Sequence, residues 1–267
     1  MTLLDIHNPF NAPVYHEETV DSTMEVSRFL ALNGAPHGTV ISADFQEAGR
    51  GRIRSRRWEM EKGNALAFTI LLRFTHARGG APCGVIPAGI TLRAGLAAAL
   101  AIEDFAPTLA GKALIKWPND ILLGDRHQAL KAAGILAEAE GGNVHIGIGV
   151  NFSQKQMPDF LRGKATSVSL AAGAVGDRHA LLEKILSRLH DEIEAAGGGG
   201  ASDWRERIEA RLYKKGEQVC FAKGAANSGS MVTGILAGIG PDGELLILPP
   251  GGTETLAFTA GELLFFR

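Results

Sequence analysis

The sequence has few cysteines, few aromatic residues and almost no excess charge. Its two cysteines, Cys83 and Cys220, lie far apart and outside any C-x-x-C pattern, which excludes a disulfide framework and a zinc-ligand spacing. The formal net charge of -2 gives no general attraction to nucleic acid or anionic membrane, so any anion site must be local. The sequence lacks a run of roughly 18 apolar residues and the basic start of a signal peptide. These absences predict a cytoplasmic protein that does not associate with a membrane.

The abundant residues are those of an ordinary globular chain. Hydrophobic residues make up 45% and charged residues 21% of the 267 residues, and this length is sufficient to bury a full core. The 34 glycines indicate many turns and close backbone approaches, so we expect the chemistry to lie in loops. The length predicts one large domain, or a large domain and a small one.

Hydrophobic periodicity predicts helices and strands in mixed order. Helices are predicted over residues 22–33, 84–102, 178–196 and 203–212. Strands are predicted over residues 39–45, 65–72, 113–117, 121–123, 131–139, 144–150, 219–221, 231–237 and 244–248. The predicted fold class is α/β, with a mixed-sheet domain over residues 1–212 and a small β-rich domain over residues 213–267. The glycine run at 197–200 is the best linker candidate.

An arginine-rich loop is the first candidate for chemistry. Five arginines fall within residues 50–57, interleaved with Gly49 and Gly51, in a chain that is otherwise slightly acidic. Arginine forks suit phosphate and carboxylate, and glycine lets backbone N–H groups approach an anion closely. The pattern favours a phosphate-bearing ligand, while a solvated basic loop or a nonspecific nucleic-acid patch accounts for it about equally well.

The second candidate is the K-W-P-N-D segment at residues 116–120, which lies at a corner between two predicted strands. An Asn-Asp pair beside proline is also ordinary turn chemistry. Lys131 opens a later apolar strand, and Gly134 within that strand permits close ligand approach. A lysine placed there can stabilise charge that develops on a carbonyl or phosphate. An edge-strand lysine with its ammonium in water fits the same pattern.

Together these segments resemble the biotin protein ligase family, within the biotin/lipoate protein ligase superfamily. The matching segments follow the family's order and similar spacing: D-S-T at 21–23, Q-E-A-G-R-G-R at 46–52, Trp58, K-W-P-N-D-I at 116–121, K-A-A-G-I-L at 131–136 and I-G-I-G-V-N at 146–151. The combination of K-W-P-N-D with G-R-G-R is highly specific, and the resemblance covers about residues 15–155. The tail from about residue 214 loosely matches the family's small SH3-like C-terminal domain.

The resemblance implies a two-step reaction. Biotin and Mg-ATP would give biotinyl-5'-AMP and pyrophosphate. A lysine of the biotin carboxyl carrier protein of acetyl-CoA carboxylase, or of a related carboxylase, would then attack the mixed anhydride. ATP, Mg²⁺ and biotin are thus the expected ligands, and no protein-held metal site is implied. Because the family includes monomers and dimers, a homodimer is one expected assembly.

The resemblance also implies roles for individual residues. Lys131 would stabilise negative charge, Asp120 would orient the incoming lysine or accept its proton, and Arg52 would close the loop over the acyl phosphate. The residues expected to bind biotin are Ser22, Thr23, Gln46, Gly49, Arg50 and Gly134. The residues expected to bind the nucleotide are Trp58, Lys116, Trp117, Asn119 and Asn151.

Two departures from the family pattern keep alternatives open. Met24 stands where the family usually has Asn, which makes the predicted pocket less polar, and the loop after Arg52 lacks the family's second glycine. The alternatives are a lipoate or octanoate ligase or transferase, a noncatalytic protein that binds an acyl group or nucleotide, and a nucleic-acid binder. Because the S-T motif begins near the N-terminus, we expect no winged-helix domain before it and no specific DNA binding.

Overall fold

The computed structural model describes residues 1–53, 58, 61–74, 85–173, 176–197, 204–224 and 230–264. The helices are α1 (Thr23–Leu32), α2 (Ile90–Phe105), α3 (Val168–Ala172), α4 (Arg178–Gly197) and α5 (Trp204–Ala210). The strands are β1 (Thr2–Leu3), β2 (Val14–Val20), β3 (Thr39–Gln46), β4 (Ala65–Arg73), β5 (Ala113–Lys116), β6 (Asp120–Leu123), β7 (Leu130–Glu140), β8 (Asn143–Asn151), β9 (Gln218–Lys223), β10 (Met231–Ile239), β11 (Leu245–Leu248), β12 (Leu256–Phe258) and β13 (Gly261–Leu264).

Eight strands form one mixed sheet in the order β1-β2-β3-β4-β8-β7-β6-β5. Strands β2 and β3 run parallel, and the other neighbours run antiparallel. The alternation along β8 distinguishes the two faces of the sheet, because Ile146, Ile148 and Val150 are buried in the main core. Gly147 and Gly149 lie on the opposite face, which we call the pocket face.

Helices α2 and α4 cover the core face of this sheet. The first is rich in alanine and leucine and is buried along most of its length. In α4, leucines at helical spacing such as Leu182, Leu186 and Leu189 are fully buried. Among the described residues, the helices include none that is both long and apolar enough to span a membrane.

Helix α1 packs on the pocket face, over β3, β4 and β8. Ser27 Oγ lies 2.8 Å from His145 Nδ1 of β8, and Arg28 forms an ion pair with Glu138 of β7. Burial, reinforced by the positive charge of Arg28, lowers the pKa of His145 below its usual value. The imidazole is therefore neutral at neutral pH. These contacts fix the helix whose first turn reaches the cavity described below.

The remaining five strands form a second, antiparallel sheet in the order β12-β11-β10-β9-β13. Several side chains of the first part of the chain bond to its backbone, and Trp117 and Arg52 are among them. Trp117 Nε1 donates to the carbonyl of Gly243 at 3.0 Å, and Arg52 Nη2 donates to the carbonyl of Gly261 at 2.8 Å. The second sheet is thereby attached beside the K-W-P-N-D corner and the arginine loop.

The prediction of a mixed α/β fold with a β-rich C-terminal part is confirmed, and the predicted helices and strands are present with shifted ends. The helix predicted from residue 84 begins only at Ile90, since Pro87 and Gly89, with φ at 64°, precede it. Strands β1, β2, β12 and β13 and helix α3 were missed. Residues 84, 198–200 and 203 lie outside the described residues. The domain boundary at 212 stays a prediction, and the second sheet begins at Gln218.

Candidate active site

A cavity of about 440 Å³ opens on the pocket face of the large sheet. Every site residue predicted from the sequence lines it, except Gly49. These lining residues are Ser22, Thr23, Gln46, Arg50, Arg52, Trp58, Lys116, Trp117, Asn119, Asp120, Lys131, Gly134 and Asn151. The fold therefore gathers segments that are far apart in sequence into one site.

Glycines form the floor of the cavity. Gly134 of β7 is paired with Gly149 of β8, and Gly147 precedes Gly149 by two residues in β8. A Cβ at Gly149 would lie 2.6 Å from the Trp58 ring, and a Cβ at Gly147 would lie 2.9 Å from the sulfur of Met24. The absence of side chains lets other groups lie directly against the backbone of the sheet.

A β-bulge places Lys131 beside Asp120. In a regular strand, Lys131 and Gly134 would point to opposite faces because they are three residues apart. The register of β6 and β7 shifts between the pairs Ile121–Ala133 and Leu122–Lys131, so that Ala132 is an extra residue. The bulge returns Lys131 to the pocket face, where its Nζ lies 2.6 Å from Asp120 Oδ1.

The backbone of Lys131 is also held by the segment 161–166. The N–H of Lys131 donates to the carbonyl of Lys164 at 3.1 Å, and the N–H of Thr166 donates to the carbonyl of Lys131 at 2.8 Å. This parallel bridge brings Leu161 and Ala165 to the cavity wall. Lys131 is thus positioned by elements on both sides of its strand.

Linked side chains form a polar end of the cavity. Thr69 Oγ1 donates to Thr23 Oγ1 at 2.8 Å. Thr23 in turn donates its hydroxyl and its backbone N–H to Gln46 Oε1, at 3.1 and 2.9 Å. Ser22 is the N-cap of α1, and its Oγ accepts the N–H of Met24. Because the carbonyl of Gln46 is engaged internally, its NH₂ group is the part that can donate to a ligand.

The arginine loop contacts both α1 and the second sheet. Arg50 forms an ion pair with Glu25 of α1, while Arg52 reaches the backbone of β13. Residues 54–57, which contain the other three arginines, lie outside the described residues. Of the two described arginines, one is therefore bound to α1 and the other to the second sheet.

Trp58 lies across the glycine floor. The backbone N–H of Trp58 donates to the carbonyl of Gly49 at 3.0 Å, and a Cβ at Gly49 would meet the carbonyl of Trp58 at 2.7 Å. Gly49, expected to contact biotin, thus contacts Trp58 instead of lining the cavity. The ring centroid of Trp58 lies 5.9 Å from Lys131 Nζ. Within the described part of the chain, its buried indole Nε1 has no hydrogen-bond partner.

Two predicted nucleotide-binding residues also hold the framework of the site. Asn119 Nδ2 donates to the carbonyl of Ile135 at 2.9 Å, which ties the K-W-P-N-D corner to β7. Asn151 Nδ2 donates to the carbonyl of Thr166 at 3.0 Å, which fixes the segment that bonds to Lys131. Lys116 lines the cavity at the end of β5. Substitution of either asparagine would therefore change the shape of the site as well as its surface.

Sequence reasoning missed several residues at the site. Phe160 and Leu161 line the cavity from a short 3-10 turn, and Glu262 lines it from β13 of the second sheet. Thr69 belongs to the polar network although it lies in a strand that reads as pure core. None of these positions carries a motif, because each reaches the site only through the pairing of distant segments.

Comparisons of sequence identify relatives of this chain. Residues 17–153 match the Biotin/lipoate A/B protein ligase family. The chain is 38% identical over 181 residues to the bifunctional ligase/repressor BirA of Bacillus subtilis, a match that covers 65% of the chain and 51% of BirA. It thus spans about half the length of that relative. It is 32% identical over 261 residues to the biotin--[acetyl-CoA-carboxylase] ligase of Paracoccus denitrificans, covering 92% of the chain and 97% of that protein.

The fold is also similar to a solved structure. The biotin protein ligase from Aquifex aeolicus in complex with biotin and ATP superposes with a TM-score of 0.77 at 27% identity, covering 95% of this chain and 98% of that one. The similarity includes both sheets, since it extends over nearly the whole chain. The sequence match, the cavity and the fold agree, and the chain belongs to the biotin/lipoate A/B protein ligase family.

Proposed function

We propose that this protein is an ATP-dependent biotin protein ligase. It activates biotin with Mg-ATP to biotinyl-5'-AMP and transfers biotin to a lysine of the biotin carboxyl carrier protein of acetyl-CoA carboxylase or a related carboxylase. The observation that carries the proposal is the placement of Lys131, Asp120 and the described part of the arginine loop around one glycine-floored cavity. The names of the relatives and the ligands of the Aquifex aeolicus structure support the choice of biotin and ATP.

The first step joins a carboxylate to a phosphate. A carboxylate oxygen of biotin forms a bond to the α-phosphorus of ATP, the bond to the β-phosphate oxygen breaks, and pyrophosphate leaves. Negative charge accumulates on the phosphate oxygens, and preplaced cations stabilise it. Lys131 and Lys116 line the same cavity and supply such cations. Arg52, anchored to the second sheet, covers the loop side and limits access of water to the anhydride.

The second step transfers the acyl group to an amine. The neutral amine of the carrier lysine attacks the carbonyl of the anhydride, the bond to the phosphate oxygen breaks, and AMP leaves. The attacking nitrogen must lose a proton, and the carboxylate of Asp120 is the acceptor that we assign to it. Lys131, 2.6 Å from Asp120, stabilises the oxyanion and the leaving phosphate.

The proposed reaction requires Mg²⁺ on the nucleotide. Within the described ranges, no cluster of three or more metal-ligating side chains is present. This suits Mg²⁺ that is carried on phosphate oxygens and water with one or two carboxylates. The carboxylate of Glu262 lines the cavity and is the group that would meet it. Bound there, the ion would neutralise charge on the phosphates.

Exchange of labelled pyrophosphate into ATP tests the proposal without the carrier. Biotin, lipoate and octanoate are compared in parallel at millimolar Mg²⁺. We expect exchange with biotin, and a loss of about 100-fold or more in Lys131→Ala because a charge-stabilising group is removed. Lys184→Ala, at an exposed position on α4, is the matched control. Exchange with none of the three acids would contradict the proposal and favour a noncatalytic binding protein.

Lipoate or octanoate attachment is the second candidate function. The matched family includes lipoate ligases as well as biotin ligases, and this supports the second candidate. Exchange with lipoate or octanoate but not with biotin would establish that branch. The carrier is tested separately, by the mass of a purified biotin carboxyl carrier domain before and after incubation with the protein, biotin and Mg-ATP. A gain of one biotinyl group that disappears when the acceptor lysine is replaced by arginine is the expected result.

A further inference from the structure

Met24 occupies an unusual place in the cavity wall. It is 4% exposed, belongs to the first turn of α1 and lines the cavity. Its side chain lies on the bare backbone of β8, because a Cβ at Gly147 would lie 2.9 Å from Sδ and 3.4 Å from Cγ. A larger residue at position 147 would displace the thioether. Met24 and Gly147 therefore form one complementary pair, in which a glycine leaves the space that the methionine fills.

The thioether also borders the polar end of the cavity. The same Cβ at Gly147 would lie 3.5 Å from Thr69 Oγ1, which bonds to Thr23 Oγ1. The carbonyl of Gln46 accepts both donors of Thr23, so the NH₂ group of Gln46 is left to donate to a ligand. A hydrogen-bond donor and a soft apolar surface are thus adjacent on one wall.

We infer that Met24 is a specificity-determining residue for the acyl substrate, an inference that rests on the proposed biotin ligase activity. The wall fits an acid whose far end carries a carbonyl acceptor fused to a compact apolar ring. The carbonyl accepts from Gln46, and the ring packs against Met24. A linear fatty acyl chain supplies no acceptor and leaves the polar network without a ligand partner. Methionine suits this role because its flexible, polarisable side chain adapts to the outline of a ring.

The acid specificity of Met24 variants tests this inference. Met24→Ala removes the contact surface and should raise the KM for biotin in pyrophosphate exchange by about 10- to 100-fold, the range for lost apolar contacts in a binding pocket. The kcat should stay within about threefold, because the proposed mechanism places the reacting carboxylate at Lys131 and the acyl end at Met24. Met24→Leu retains volume and apolar character and should keep the KM within about threefold. The ratio of kcat/KM for biotin to that for octanoate should fall only in Met24→Ala.

A matched control separates specificity from damage to α1. Leu30 is also a buried residue of α1 but does not line the cavity. Leu30→Ala should lower thermal stability without changing the biotin-to-octanoate ratio. An unchanged ratio in Met24→Ala, or an equal change in Leu30→Ala, would overturn the assignment of Met24 while leaving the ligase proposal intact. Failure of the unmodified protein to bind biotin in calorimetry and to catalyse exchange would overturn both.

Discussion

The ammonium of Lys131 and the carboxylate of Asp120 form a 2.6 Å ion pair between diagonal positions of two neighbouring strands. Asp120 faces Gly134 in the ladder and Lys131 faces Leu122, and the long lysine side chain bridges the diagonal. The two side chains are 37% and 20% exposed, and a pair of this exposure adds little stability. Its importance is geometric, because it holds an ammonium and a carboxylate together in the cavity.

Replacement of Asp120 by asparagine should affect the two half-reactions unequally. In the proposed mechanism adenylation uses the charge of Lys131, which this variant retains, so pyrophosphate exchange should fall by about tenfold or less. Transfer requires a proton acceptor and should slow by about 100- to 10,000-fold. Single-turnover transfer from preformed biotinyl-5'-AMP to the carrier domain measures the second step alone. Asp125→Asn, in the exposed loop before β7, is the control; equal losses in both half-reactions would contradict a role for Asp120 as base.

The glycine floor makes a second prediction. A methyl group at Gly149 would lie 2.6 Å from the Trp58 ring, so Gly149→Ala must push the ring into the cavity. We expect the KM values for biotin and ATP to rise by about tenfold or more, since a misplaced group of this size disrupts a fitted pocket. Gly95→Ala is a matched control, because a Cβ there would meet its nearest neighbours at the ordinary distances of 3.5 and 3.8 Å. Equal KM values for Gly149→Ala and the unmodified protein would show that Trp58 does not shape the site.

The sequence predicts the elements of the large sheet well because their apolar residues recur with strong periodicity. In β8, isoleucine and valine alternate with glycine, and the structure buries the first set in the core. Strand β2 was missed since its sequence V-Y-H-E-E-T-V is mainly polar in the middle. Its pairing depends on β3, which lies beside it only after α1 has reversed the chain.

The site is less predictable than the fold, and Lys131 illustrates the reason. The motif identifies the residue, but strict alternation places it on the face opposite to Gly134. Only the bulge at Ala132 reverses this, and a bulge at an alanine that is followed by another alanine leaves no mark in the sequence. Phe160 and Glu262 were missed for a related reason, because they reach the cavity from a loop and from the second sheet.

The bond between Trp117 and Gly243 predicts a measurable link between the two sheets. Trp117→Phe retains a ring that can pack on Phe221, whose centroid lies 5.8 Å away, but removes the N–H donor. The free energy of unfolding should fall by at least about 1 kcal/mol, because the variant loses one hydrogen bond and part of a ring that is only 2% exposed. Urea denaturation measures this change. A stability equal to that of the unmodified protein would mean that packing alone attaches the second sheet at this point.

The buried imidazole of His145 predicts how stability depends on pH. Burial, followed by the charge of Arg28, lowers the pKa of His145 in the folded protein, whereas in the unfolded chain it titrates near 6.5. Between the two pKa values, His145 is therefore protonated in the unfolded chain and neutral in the folded protein. As the pH falls below about 6.5, the free energy of unfolding decreases, and the decrease levels off below the folded pKa. Above this range His145 contributes no pH dependence.

His145→Asn should reduce this pH dependence. Asparagine keeps a polar group near Ser27 Oγ, which lies 2.8 Å from the imidazole, but it does not titrate. Urea denaturation between about pH 8 and pH 5 should give a shallower loss of stability in the variant than in the unmodified protein. Part of the slope should persist, because burial also lowers the pKa values of His16 and His37. Near pH 8, where imidazole is neutral in both the folded and the unfolded state, the free energies of unfolding of the two proteins should differ by an amount that does not change with pH. If the two curves of free energy against pH stayed parallel down to pH 5, His145 would not couple protonation to the packing of α1.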